Sequence, residues 1–168
     1  LRAVRRGAPQ SRLIVDANEG WSAASYAALA PELAALGVEM IEQPLPAGED
    51  APLAELARPV PVCADESVHD RASLDALARR YDMVNIQLDK TGGLTEALAL
   101  RRAAEERGLA VMVGCMIGSS LAMAPAQLVA QGVAITDLDA PLLLAEDREP
   151  AMRIDADGIH PPDPALWG

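Results

Sequence analysis

The chain has 168 residues, 51% of them hydrophobic, which is enough for one core of ordinary size. A formal charge of −11 excludes the basic face that nucleic acid or an anionic membrane surface would require, so neither is expected as a partner. No run approaches the ~20 apolar residues of a membrane span and no leader-like stretch is read at the start, so a soluble, cytoplasmic protein is expected.

In chain order, "LRAVRRGAPQ" reads as the tail of a helix ending at Gly7, with no strand before it. A strand follows at 13–17 (LIVDA), then a helix near 22–36 that Pro31 should kink or split. The next strand, 38–43 (VEMIEQ), leads to a helix near 50–58. The strand at 60–66 (VPVCADE) leads to a helix near 70–80, with Asp70 as its N-cap. "MVNIQ" (83–87) precedes a helix near 93–107 that stops at Gly108, and "LAVMVG" (109–114) precedes one near 118–130 that stops at Gly132. "VAITDLD" (133–139) is the sixth strand. Cys63 and Cys115 lie far apart in apolar stretches and form no C-x-x-C pair, so both are expected as buried free thiols in a reducing compartment.

The strands are continuously apolar, as in a parallel sheet covered on both faces. Their polar exits are Asp16, Glu42, Asp65, Lys90, Cys115 and Asp137, at steps of 26, 23, 25, 25 and 22 residues. That near-constant step is one βα unit, and right-handed crossovers place all six exits on one side. An open doubly wound sheet gathers its site at one switch point, whereas a barrel places function at every strand end. Charged or polar exits on nearly every strand favour the barrel. A complete one needs eight strands and typically ~250 residues. Residues 1–168 are therefore expected to form a single α/β domain, an incomplete TIM-like (β/α) barrel of about six βα units.

Asp16, Glu42 and Asp65 leave three successive strands. Three carboxylates converging without a cation would repel one another, and a bound divalent metal resolves the conflict. All-oxygen ligands select a hard ion, Mg2+ above all, with Mn2+ as a stand-in. The competing reading, acids that cap helices or face solvent, suits one carboxylate better than three at matched positions. Lys90 stands at the next exit, where a lysine beside a divalent cation gives up its proton more readily and can act as a base. A plain salt bridge to one of the acids is the alternative. Gly92 and Gly93 let the backbone pass close to a ligand. A metal and a lysine together suit removal of a proton α to a carboxylate through a metal-stabilised enediolate.

The segments "VDANEGW" (15–21), "IEQPLP" (41–46), "ADES" (64–67), "NIQLDKTGG" (85–93), "VGCMIGSS" (113–120) and "DLDAP" (137–141), in this order, resemble the C-terminal barrel of the enolase superfamily. The resemblance is to its muconate-lactonizing subgroup, and most of all to the L-Ala-D/L-Glu (dipeptide) epimerases. It implies an isomerase with one Mg2+ per site, bound by Asp16, Glu42 and Asp65, and with Lys90 as acid and base. Asn18, Gln43 and Glu66 would stand beside the ligands and orient them. Cys115, Met116 and Ile117 would line the substrate site, and Asp137 and Asp139 would grip the α-ammonium of a dipeptide. The histidine dyad of the mandelate-racemase-like subgroup has no counterpart: His69 and His160 read as surface residues. The resemblance also implies a Lys-x-Lys strand and an N-terminal capping domain, neither of which is found, and Lys90 is the chain's single lysine. An isolated chain would then be an inactive fragment, since 1,1-proton transfer needs a base on each face of the carbon. Within the subgroup, a cycloisomerase, an o-succinylbenzoate synthase and an N-acylamino-acid racemase are the rival activities. A metal-binding fragment without activity is the rival outside it, and a homo-oligomer is compatible with all of them.

Overall fold

The computed structural model describes residues 1–167. Six parallel strands form one sheet in sequential order: β1 (Leu13–Asp16), β2 (Val38–Glu42), β3 (Val62–Ala64), β4 (Met83–Ile86), β5 (Ala110–Val113) and β6 (Ile135–Thr136). The sheet curls into a half-barrel, with β1 and β6 as unpaired edges. Six helices accompany it, α1 (Arg2–Gly7), α2 (Ala23–Ala35), the single turns α3 (Leu74–Leu77) and α4 (Leu88–Thr91), α5 (Leu94–Glu106) and α6 (Ser120–Val129), and of these α2, α3, α5 and α6 bury residues against its outer face. A short antiparallel hairpin, β7 (Ile154–Asp155) and β8 (Gly158–Ile159), lies beyond the sheet.

The central strands β2 to β5 are largely buried on both faces, whereas the edge strands β1 and β6 are only partly covered. The outward residues Ile41, Val62, Val84, Ile86, Val111 and Val113 pack with Tyr26 and Leu33 of α2, Leu100 of α5 and Met123 of α6. The inward residues form a separate cluster of Met40, Cys63, Met83 and Met112, flanked by Ile135. The period of two along each strand lifts Glu42, Asp65, Asn85, Gly114 and Asp137 onto the same inward side, one step above that layer. The chemistry of the inner face therefore stands on a floor rich in sulfur.

Several boundaries differ from the expectations. Pro31 does not split α2, which runs unbroken to Ala35 and is capped by Ser22 at the backbone N of Ser25. Tyr26, Ala30 and Leu33, all buried, pin the helix on both sides of the missing donor. The helix expected at 50–58 is one 3-10 turn, Ala51–Ala54; Pro52 and the Pro59 and Pro61 that follow leave no room for more. The 70–80 segment is a 3-10 turn, Arg71–Ser73, followed by α3 alone. Asp70 caps it, accepting from the backbone N of Ala72 at 2.9 Å and of Ser73 at 3.3 Å. Gly108, at φ 76°, takes the left-handed conformation directly after the cap of α5, whereas Gly132, at φ 73°, does so two residues beyond the cap of α6. Cys63 is a buried free thiol, and Cys115 is half-buried. Among the described residues, no helix is long and apolar enough to cross a membrane.

Candidate active site

The strand exits open into a cavity of about 280 Å³, lined by Asp16, Asn18, Glu42, Asp65, Glu66, Asn85, Gln87, Gly114, Cys115 and Asp137 among others. Asp16 ends β1 in register with Glu42, the last residue of β2. Just beyond β1, Asn18 and Glu19 turn the chain in the left-handed region, at φ 44° and 61°. This strained turn is pinned by Glu19 N donating to the Gln43 carbonyl at 2.8 Å and by Ala47 N donating to Glu19 Oε1 at 2.6 Å. It aims both the backbone N and the side-chain amide of Asn18 back at the Asp16 carboxylate.

Gln43 is fully buried and works on Asp65 rather than on its neighbour Glu42. Its Oε1 accepts from the backbone N of Asp65 at 2.8 Å and of Ser67 at 3.2 Å. Its Nε2 shares its two hydrogens among the Leu45 carbonyl and the Ser67 and Tyr81 hydroxyls, all within 2.9 Å. Both hydroxyls in turn donate to Asp50 Oδ2 at 2.7 Å, and Arg80 closes the network on Asp50 Oδ1 at 2.8 Å. The Asp65 loop is thereby fixed from beneath by a satisfied buried network.

Lys90 does not leave the strand directly, as its sequence position suggested. β4 ends at Ile86, and Lys90 lies on the helical turn α4, which Gly92 closes at φ 75°. The turn swings the ammonium back over the strand exits, where it pairs with Asp65 Oδ1 and donates to the Asp65 carbonyl at 2.7 Å and the Asn85 carbonyl at 3.0 Å. An ammonium has three donors, and all three are used. Gln87 Nε2 donates to the same Asp65 oxygen at 2.8 Å.

Asp16, Glu42 and Asp65 thus line one cavity, yet they do not stand as a ready-made cage. Among the described residues, no three His, Cys, Asp or Glu side chains are grouped closely enough to hold a metal ion. Each carboxylate is engaged instead by a neighbour: Asp16 by Asn18, Glu42 by the Asn85 Nδ2 at 2.6 Å, and Asp65 by Lys90 and Gln87. The residues nevertheless fit a small hard cation. Every donor is oxygen, and two buried oxygens at this cavity, Glu66 Oε2 and Asn85 Oδ1, have no hydrogen-bond partner. Burial drives the Glu42 carboxyl up to about 7, the amide of Asn85 opposes the rise, Asp65 and Asp16 add to it, and Lys90 opposes it. The cavity is short of positive charge.

Cys115, Met116, Ile117, Asp137 and Asp139 line a second cavity of about 260 Å³, which shares Cys115, Met116 and Asp137 with the first. Leu138 is buried between the two aspartates, so both carboxylates face out from the core on the same side. Burial raises the Asp137 carboxyl, and the Asp139 carboxylate beside it raises it further. Neither histidine reaches the first cavity: His69 is exposed, and His160 is half-buried against Asp155 at 2.9 Å.

Asn85, Gln87 and Gly114 were not singled out in the sequence. The signal for the first two was present: polar residues two apart in an otherwise apolar strand share a face, and that face is the one Met83 turns inward.

A half-barrel with carboxylates on successive strand exits and a lysine returned onto them defines the class. The chain belongs to the enolase C-terminal domain-like family, whose model matches residues 1–163. It is 51% identical over 158 residues to the L-Ala-D/L-Glu epimerase of Escherichia coli (strain K12), covering 94% of this chain and 49% of that protein. It is 49% identical over 169 residues to an N-acetyl-D-glutamate racemase of Pseudoalteromonas sp, covering 100% of this chain and 53% of the other. An enolase family member from Agrobacterium tumefaciens with homology to dipeptide epimerases, crystallised with sodium and L-Ala-L-Glu, superposes with a TM-score of 0.97 at 56% identity, covering 99% of this chain and 51% of that one. The chain spans about half the length of the curated relatives it matches.

Proposed function

We propose that this chain carries one face of a dipeptide epimerase active site, with Asp16, Glu42 and Asp65 as ligands of a single Mg2+ and Lys90 as acid and base at the substrate α-carbon. The observation that carries the reading is the return of Lys90, on α4, onto the Asp65 carboxylate in a cavity shared with Asp16 and Glu42. A divalent ion supplies such a site with positive charge against the substrate carboxylate, which makes the α-proton removable.

The chain's own residues do the rest. Asn18 and Gln43 hold Asp16 and the Asp65 loop in place. Lys90 spends its three donors on Asp65 and Asn85, so committing the Asp65 carboxylate to a cation frees one position on Nζ to face the α-carbon. Asp137 and Asp139, repelling each other at the mouth of the adjoining cavity, suit an α-ammonium between them. Cys115, Met116 and Ile117 wall the space between the two charged ends. Lys90 is the only lysine here, so this chain supplies the base on one face of the carbon.

The chain, incubated with L-Ala-L-Glu and Mg2+ in D2O, is expected to exchange the glutamyl α-proton without inverting the centre, as followed by proton NMR. Exchange that survives both a chelator and Lys90→Ala would refute the reading. An N-acylamino-acid racemase is the second reading, supported by the Pseudoalteromonas relative. Its substrate carries no ammonium for Asp137 and Asp139 to hold.

A further inference from the structure

Asn85 is buried in the middle of the inner face, 2% exposed, between the metal-side carboxylates and the lysine. Its side-chain Nδ2 donates to Glu42 Oε1 at 2.6 Å, and its backbone carbonyl accepts from Lys90 Nζ at 3.0 Å. Its Oδ1 is buried at the cavity and has no partner. The neighbouring strand makes room for this amide in one place: a Cβ on Gly114 would stand 2.7 Å from Asn85 Nδ2 and 2.8 Å from Oδ1. Gly114 does not have a left-handed φ, so its backbone could carry any side chain. What glycine provides there is the space that Asn85 fills.

We infer that Asn85, seated against Gly114, is a positioning residue. It fixes the orientation of Glu42 toward the ion, its carbonyl helps hold Lys90 over the same point, and its free Oδ1 accepts a hydrogen bond from water carried in with the cation. The inference rests on the metal reading above and adds the part that joins its two halves. An amide is the group suited to the task. It donates to one side and accepts on the other without bringing charge, whereas a carboxylate at this point would face Glu42 with no donor between them. Divalent ions of the Mg2+ type keep several of their own waters, so an unpaired acceptor beside the ligands has something to bind. Partners of this kind orient ligands, and their loss typically costs about 10–100-fold in metal affinity.

The test uses the 168-residue chain and Mn2+, with the EPR signal of the free ion reporting binding. Asn85→Ala should weaken Mn2+ about tenfold or more while the chain stays folded by circular dichroism. Gly114→Ala, which leaves Asn85 in the sequence but displaces its amide, should weaken Mn2+ by a similar factor and lower the melting temperature. The double variant Asn85→Ala/Gly114→Ala should recover most of the lost melting temperature, because the added methyl then enters vacated space, yet should bind Mn2+ no better than Asn85→Ala alone. This separation of melting from binding is what a merely structural asparagine would not give. Additive losses of melting temperature would overturn the seating of Asn85 on Gly114. Unchanged Mn2+ affinity in Asn85→Ala would overturn its positioning role. A wild-type chain that takes up no Mn2+ would overturn the metal reading itself, and the metal-free melting cycle tells that failure apart from a misplaced Asn85.

Discussion

Glu42 offers the sharpest check on the electrostatics of the cavity. Its carboxyl is raised from an ordinary 4.5 to about 7, by burial first and by Asp65 and Asp16 after it. A carboxyl whose folded-state value lies above its unfolded value keeps its proton more firmly when folded. Its contribution to stability is therefore complete below about 4.5 and is lost as pH rises through about 7. The displacement of some 2.5 pH units corresponds to about 3 kcal/mol withdrawn by pH 8, at 1.36 kcal/mol per unit. Glu42→Gln keeps the shape and the oxygen that accepts from Asn85 but cannot ionise. In urea titrations with a chelator present, the variant should match the parent near pH 4 and exceed it by about 3 kcal/mol at pH 8. Saturating Mg2+ should then narrow the gap by stabilising only the parent. An equal difference at both pH values would show that Glu42 does not titrate in this window and would refute the account of a cavity short of positive charge.

Lys90→Met should destabilise the chain by roughly 2–4 kcal/mol, since it strands the half-buried Asp65 carboxylate, and adding Asp65→Asn should restore most of that loss in chemical denaturation. Tyr81→Phe removes the hydroxyl shared by Gln43, Ser67 and Asp50 and should cost roughly 1–3 kcal/mol by the same measurement; no loss would mean that the network does not brace the Asp65 loop. In an enzyme that carries this domain whole, replacing Asp137 and Asp139 together with Asn should lower kcat/KM for a free dipeptide by the equivalent of roughly 2–4 kcal/mol, with a far smaller loss on its N-acetyl analogue. Equal losses on both substrates would favour the acylamino-acid reading. The unpaired β1 and β6 edges should make the isolated chain associate at raised concentration, so a monomer in sedimentation at all concentrations would contradict an exposed edge.

The exits of β1, β2, β3 and β6 were legible because each combines a short β-branched run with one polar residue at a fixed step, and a parallel sheet has few other ways to arrange such units. The lengths of the helices were less so. Propensity favours a helix at 50–58, but Pro52, Pro59 and Pro61 remove donors that the sequence pattern alone does not weigh. Pro31 shows the converse, a helix breaker overruled by the packing of Tyr26, Ala30 and Leu33. The position of Lys90 could be read but its route could not: whether the residues after Ile86 extend or coil depends on the left-handed Gly92, whose conformation a sequence permits without requiring. Asn85 was overlooked because an asparagine inside an apolar strand looks like a flaw until the glycine across from it is seen.

The floor beneath the carboxylates has a chemical liability of its own. Met40, Cys63, Met83 and Met112 are three thioethers and a thiol, shielded from solvent while the sheet is folded. Thioethers pack well in irregular spaces because they are flexible and polarizable, but peroxide converts them into polar sulfoxides that no longer belong in an apolar layer. Oxidant reaches Met40, which is fully buried, only when the half-barrel opens, whereas Met112 also borders the first cavity. The rate at which Met40 gains oxygen, followed by mass spectrometry, is therefore a clock for that opening. Anything that binds across the strand exits and holds them together should slow it.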